Sequence, residues 1–144
     1  MKISEIKVIY SNKNKETVHV NSSESAYRVF KEHWNPDTIE LQECFKVLYL
    51  NRANIVLGIV HHSVGGVTGT VVDVKLVIGT ALKVVASGII IAHNHPSANL
   101  RASEADKALT NKMKEAAKLF DIQLLDHLII TKEDYTSFAD EGML

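Results

Sequence analysis

Gly88-Ile89-Ile90-Ile91-Ala92-His93-Asn94-His95-Pro96, a six-residue connection (residues 97–102) and then Ser103-Glu104-Ala105-Asp106 form the stretch that decides the fold. The run from Gly88 to Ala92 is short and apolar on both faces, the pattern of a central strand covered by helices on each side. Residues i and i+2 of a strand point to the same face, ~6.6 Å apart along the backbone, so the imidazoles of His93 and His95 converge while Asn94 faces away. Pro96 ends the strand, and the following turn leads into a helix at Ser103. Its first turn comes back beside the strand end, where Asp106 can add a carboxylate oxygen. Two neutral nitrogens and one anion suit zinc, and three protein ligands leave the fourth tetrahedral position for water, as a catalytic metal requires. Taken alone, Ser103 and Asp106 read as a helix capping box, and a lone H-x-H is more often incidental than metal-binding. Joined at fixed gaps on strand, turn and helix start, the two halves reinforce each other.

Working outward, residues 103–120 form the clearest helix, with Ala105, Leu109, Met113, Ala116 and Phe120 on one stripe and lysines mostly outside. Residues 122–131 read as a strand, and residues 135–144 as a tail or sheet edge. Upstream, residues 43–50 and 54–62 are β-rich and joined by Asn51-Arg52-Ala53, which predicts an antiparallel pair lying centrally in the sheet. Asn21-Ser22-Ser23-Glu24 offers an N-cap for a helix carrying Ala26, Tyr27, Phe30 and Trp34, ended by Asn35-Pro36. Residues 3–10 and 17–20 flank a polar tip and predict a β-hairpin at the start of the chain. Gly65-Gly66-Val67-Thr68-Gly69 reads as a flexible connection. Asp73 then caps a helix with Val74, Val77, Ala81, Val84 and Val85 at helical spacing. Strands alternating with three helices predict an α/β or α+β sandwich, with residues 1–144 as one domain.

The composition agrees. The chain has 144 residues, 46% hydrophobic and 23% charged, which fits one globular core and excludes disorder as the main state. Sixteen Lys plus Arg against 17 Asp plus Glu leave a net charge of −1, which does not favour direct nucleic-acid binding. A basic patch from Lys107, Lys112, Lys114 and Lys118 is the feature that would support it. No apolar run approaches the ~20 residues needed to span a bilayer. A lone cysteine and the absence of a signal-peptide core point to the cytoplasm.

His93-Asn94-His95-Pro96-Ser97 followed by Ser103 and Asp106 resembles the JAMM signature of the JAB/MPN metallopeptidase superfamily, and the wider chain from about residue 22 to 144 resembles its bacterial RadC-like branch. Supporting segments are Glu43-Cys44-Phe45-Lys46-Val47-Leu48, Gly65, Ala81-Leu82 and Leu125-Asp126-His127-Leu128-Ile129-Ile130. The resemblance implies a deaminase-like three-layer α/β/α sandwich with a mixed sheet and one zinc ion. It matches the zinc ligands to His93, His95 and Asp106, the motif serine to Ser103 and the catalytic glutamate to Glu43. The chain departs from the family pattern at Ala98, where a glycine is usual, at Ala102, where a proline is common, and at Lys75-Leu76, where an Arg-Glu pair is common. Nothing in it matches the helix-hairpin-helix portion of longer members.

These readings predict a zinc-dependent hydrolase that cleaves a peptide or isopeptide bond of a protein or peptide substrate. Glu43 is the base that takes a proton from the attacking water, and Ser103 donates a hydrogen bond to the developing oxyanion or to the zinc-bound water. Glu40 competes with Glu43 by proximity. A DNA-repair or recombination accessory that binds nucleic acid or a protein partner is the alternative function, and a zinc-free scaffold is disfavoured because the presumed ligands are all present. Of Asp126 and His127, which face opposite sides of a strand, one can orient a ligand, but a structural hydrogen-bonding role is favoured and both stay outside the predicted site. His61-His62 cannot both reach one ion from a regular strand. Cys44 reads as a small buried hydrophobe.

Overall fold

The computed structural model describes residues 1–65 and 71–144, so most of the predicted connection at residues 65–69 lies outside the described residues. Among the described residues there are five strands and three helices, in the order α1 (Ser23–Glu32), β1 (Cys44–Leu50), β2 (Val56–Val64), α2 (Val74–Lys83), β3 (Gly88–Asn94), α3 (Glu104–Lys118), β4 (Gln123–Ile130) and β5 (Tyr135–Ser137). The strands make one mixed sheet, ordered β2-β1-β3-β4-β5. β1 runs antiparallel to both β2 and β3, β3 and β4 are parallel, and β5 pairs antiparallel with β4. Parallel neighbours need a long crossover, and α3 supplies it.

Alternation along β3 divides the core. Ile89 and Ile91 pack with Phe45, Val47 and Tyr49 of β1 against Val77, Ile78 and Ala81 of α2 and Met113 and Ala117 of α3. Ile90 and Ala92 pack with Leu48, Leu50, Leu128 and Ile130 against Ala26 and Phe30 of α1, with Trp34 just beyond the helix. The result is the three-layer α/β/α sandwich expected, with β3 buried along its whole length. No helix among the described residues is long and apolar enough to cross a membrane.

Local signals explain the helix starts. Ser22 caps α1 in a reciprocal box with Ser25, and Asp73 caps α2 by accepting from the Lys75 N–H. At the other end of α2 the pattern reading needs correction. Val85 lies beyond the helix with φ 54° and is 81% exposed, so it does not extend the apolar stripe. The stripe of α3 is also rotated from expectation. Thr110, Met113 and Ala117 are its buried members, while Ala105 is exposed and Phe120 is half exposed.

Two strand expectations differ from the structure. The hairpin at the start of the chain does not form. Residues 3–10 carry no regular element, and Ile3, Ile6, Val8 and Ile9 are exposed. Residues 18–20 instead meet the start of β2, through Val56 N–H to Val18 O at 2.9 Å, Val20 N–H to Asn54 O at 3.0 Å and a His19–Ile55 bridge. An isolated hairpin is marginal in water, and the existing sheet offers the second segment a better partner. The β1–β2 pair is also not wholly central. β1 lies inside the sheet, but β2 is an edge strand that is never fully buried.

Phe30 is fully buried between α1 and the sheet, so Phe30→Ala should cost about 3–5 kcal/mol. Urea unfolding measures this, and a midpoint equal to wild type would mean that α1 is not an integral layer.

Candidate metal centre

β3 ends at Asn94, but its pairing continues for one more residue, because the His95 N–H donates to Ile130 O at 3.1 Å. This keeps His95 in strand-like alternation with His93 and holds both rings on the α3 side. Asn94 points to the other face, as expected. Its amide donates to Ile39 O at 2.7 Å and Gln42 O at 2.9 Å and accepts from the Cys44 N–H at 2.7 Å.

The turn returns the chain as predicted. The Ala98 N–H donates to His95 O at 3.0 Å, and Ala98 itself has φ 65°. This is the left-handed region, where a side chain is strained, at the position where the resembled family usually has glycine. Ser103 then caps α3 in a full capping box. Its hydroxyl accepts from the Asp106 N–H at 3.0 Å, and Asp106 Oδ2 accepts from the Ser103 N–H at 2.8 Å.

Asp106 is nevertheless not confined to capping. Its Oδ1 lies 3.1 Å from His93 Nε2 and its Oδ2 lies 3.3 Å from His95 Nε2. The two Nε2 atoms are 2.9 Å apart, and one ligand atom from each of the three residues falls within 4.8 Å of the others. His95 Nδ1 lies 2.5 Å from Asn99 O, a pure acceptor. Nδ1 therefore carries a proton, and neutral His95 presents a bare lone pair from Nε2 toward Asp106. Lone pairs of nitrogen and carboxylate oxygen converging at this range are a donor set for a divalent cation, and the three residues predicted from sequence could hold a metal ion. The His93 side chain is 2% exposed while those of His95 and Asp106 are 15% and 13% exposed, so the group is closed on the sheet side and reachable from solvent on the other.

The electrostatics reflect this crowding. Burial pushes the Asp106 carboxyl up, but the imidazoles of His93 and His95 packed against it outweigh burial and hold the group below the usual carboxylate range. Asp106 beside Nε2 raises His95, against burial, by favouring a proton there, the proton that a metal ion would replace. Glu43, the residue before β1, is pushed up mainly by its own burial. The fields of His93 and His95 oppose that shift and the field of Asp106 adds to it, so Glu43 lies within electrostatic reach of the cluster. Ser103 is solvent-exposed beside Asp106, with its hydroxyl hydrogen not used in the capping box.

A family model described as the RadC-like JAB domain matches residues 20–143. The chain belongs to the RadC-like JAB family. Similar proteins named UPF0758 occur in Flavobacterium johnsoniae, 45% identical over 86% of this chain and 53% of that protein, and in Porphyromonas gingivalis, 42% identical over 87% and 54%. One from Fusobacterium nucleatum is 33% identical over 91% of this chain and 55% of that protein. The chain thus spans about half the length of these relatives.

This RadC-like JAB domain also holds two polar residues around His93 that the predicted site omits. His127 of β4 lies with Nε2 2.7 Å from His93 Nδ1, and its Nδ1 lies 2.6 Å from Thr110 Oγ1 of α3. Burial drives His127 well below its ordinary value and keeps it neutral. Thr110 stands one helical turn after Asp106, an i,i+4 spacing that marks a shared helix face and was the available sequence signal. Asp126 does face the other side. It accepts from Ser137 Oγ and from the backbone N–H groups of Ala139 and His127, away from the cluster. His61 is exposed, and His62 is bonded to the Tyr49 hydroxyl instead of joining a metal group. Cys44 is buried, and burial raises its thiol, which disfavours the nucleophilic thiolate.

Two outcomes follow from this geometry. Ala98→Gly should raise stability by about 0.5–1 kcal/mol by relieving the left-handed strain, read as a higher urea midpoint at unchanged slope. Asp106→Ala should remove the cap and the anion together. It should lower the stability of metal-free protein by about 1 kcal/mol and abolish metal uptake, and full metal content after dialysis would strike Asp106 from the ligand set.

Proposed function

We propose that this domain is a zinc-dependent hydrolase that cleaves an amide bond, peptide or isopeptide, of a protein or peptide substrate. The observation that carries the reading is the convergence of His93, His95 and Asp106 on one solvent-reachable point, with the partly buried Glu43 carboxyl in their field. A two-nitrogen, one-carboxylate set matches the ligand chemistry of catalytic zinc sites with one position open. Bound there, the ion supplies Lewis-acid polarisation of an amide carbonyl and acidifies water.

The remaining work falls to the chain's own residues. Glu43 accepts a proton from the attacking water and delivers it to the departing amine, a role served by a carboxyl whose proton affinity burial has raised. The Ser103 hydroxyl, held in place by the Asp106 N–H, donates a hydrogen bond to the oxyanion that develops on the carbonyl oxygen. Asn99 O holds the proton of neutral His95 on Nδ1, which leaves Nε2 free to ligate, and Asp106 balances the charge. A role as a DNA-repair accessory predicts salt-sensitive DNA binding without hydrolysis.

Glu43→Gln should retain zinc and lose hydrolysis of a peptide and isopeptide library, while a chelator should abolish wild-type turnover and added zinc restore it. Turnover unaffected by the substitution removes Glu43 from the reaction. Protein that takes up no zinc and cleaves nothing in the library overturns the proposal.

A further inference from the structure

His93 must present Nε2 without a proton if it is to ligate a metal, and an imidazole has no intrinsic way to guarantee this. The buried side chains behind His93 remove the ambiguity. Thr110 Oγ1 lies 2.7 Å from Asp106 O and 2.6 Å from His127 Nδ1. A backbone carbonyl can only accept, so the single hydroxyl hydrogen of Thr110 is committed to Asp106 O. Toward His127 the hydroxyl can then only accept, and Nδ1 of His127 must carry the proton. A neutral imidazole holds one such proton, which leaves His127 Nε2 as an acceptor. His93 Nδ1, 2.7 Å away, therefore donates to it, and His93 Nε2 is left bare, facing His95 and Asp106.

We infer that Thr110 and His127 are positioning residues: through the buried relay from Asp106 O to Thr110 to His127 to His93, they fix the tautomer and ring orientation in which His93 binds the metal. The relay is closed to water, since His127 is 0%, Thr110 1% and His93 2% exposed. The His127 ring is also clamped by Phe138, stacked at 4.5 Å between centroids and 17° between planes, so it cannot turn over to exchange its nitrogens without opening the core. The relay begins on the carbonyl of Asp106, whose side chain belongs to the metal cluster, so one residue sets both the anion and the proton order behind the imidazole. Outer hydrogen-bond partners of this kind, when removed, change metal affinity by roughly 10- to 100-fold.

The inference rests on the metal-centre reading proposed above, and its test separates the two. In metal-free wild-type protein labelled with 15N-histidine, at alkaline pH, long-range imidazole spectra should show His127 and His93 each protonated on Nδ1. A proton on Nε2 of His127 overturns the relay whether or not the protein binds metal. Thr110→Val keeps the shape of the side chain but removes the acceptor. It should move the His127 proton to Nε2 and the His93 proton to Nε2 in turn, and weaken zinc binding roughly 10- to 100-fold in competition with a chromogenic chelator. Thr110→Ser should restore both the spectrum and the affinity. A Thr110→Val protein that is folded, with zinc affinity and histidine spectra unchanged, reduces Thr110 to a packing residue and overturns the inference. Wild-type protein that binds no zinc but shows the expected tautomers would fail the metal reading alone.

Discussion

One carboxylate joins the two elements on which the site is built. Asp106 closes the first turn of α3 by accepting the Ser103 N–H at Oδ2, and its two oxygens lie against the Nε2 atoms of His93 and His95 at the end of β3. Helix start and strand end therefore meet at this carboxylate as well as in the packing of Ile91 and Met113 beneath them. Capping and metal ligation, which from sequence look like rival explanations of one residue, are compatible on this geometry because a carboxylate has about four lone-pair directions and the two roles would draw on different ones. The geometry requires a turn of fixed length between the histidines and the helix, and the strained Ala98 backbone is part of what that turn costs.

The grouping of His93, His95 and Asp106 was legible in the sequence because it is nearly local. Strand alternation places His93 with His95, and a short turn brings back Asp106, so few tertiary facts are needed. Glu43 is different. Only its match to a known motif singled it out, since its approach to the cluster depends on the antiparallel register in which Phe45 faces His93. The layer order was likewise readable, because Gly88 to Ala92 is apolar on both faces and must be covered twice.

What escaped reading was polar and buried. His127 meets His93 because β4 lies parallel beside β3, a pairing between residues 34 apart that no spacing rule supplies. Thr110 carries no apolar signal: hydrophobic spacing on α3 runs through Ala105 and Phe120, whereas the buried stripe starts from Asp106 and admits a threonine. The misplaced hairpin has a related cause. β-branched residues announce extended chain but do not name the partner, and residues 18–20 found theirs beside the start of β2.

The middle residue of the His-Asn-His triplet has a consequence of its own. From the face away from the histidines, Asn94 grips the carbonyls of Ile39 and Gln42 and the amide of Cys44, and so brackets Glu43 from both sides in sequence. The spacing between the acid and the imidazoles is thus governed from the reverse side of the sheet, in the layer of α1 and Trp34. Changes in that rear layer can shift Glu43 against the histidines without any contact with them, so sequence drift on the far face of the sheet is a route by which one scaffold could alter this cluster while His93, His95 and Asp106 stay fixed.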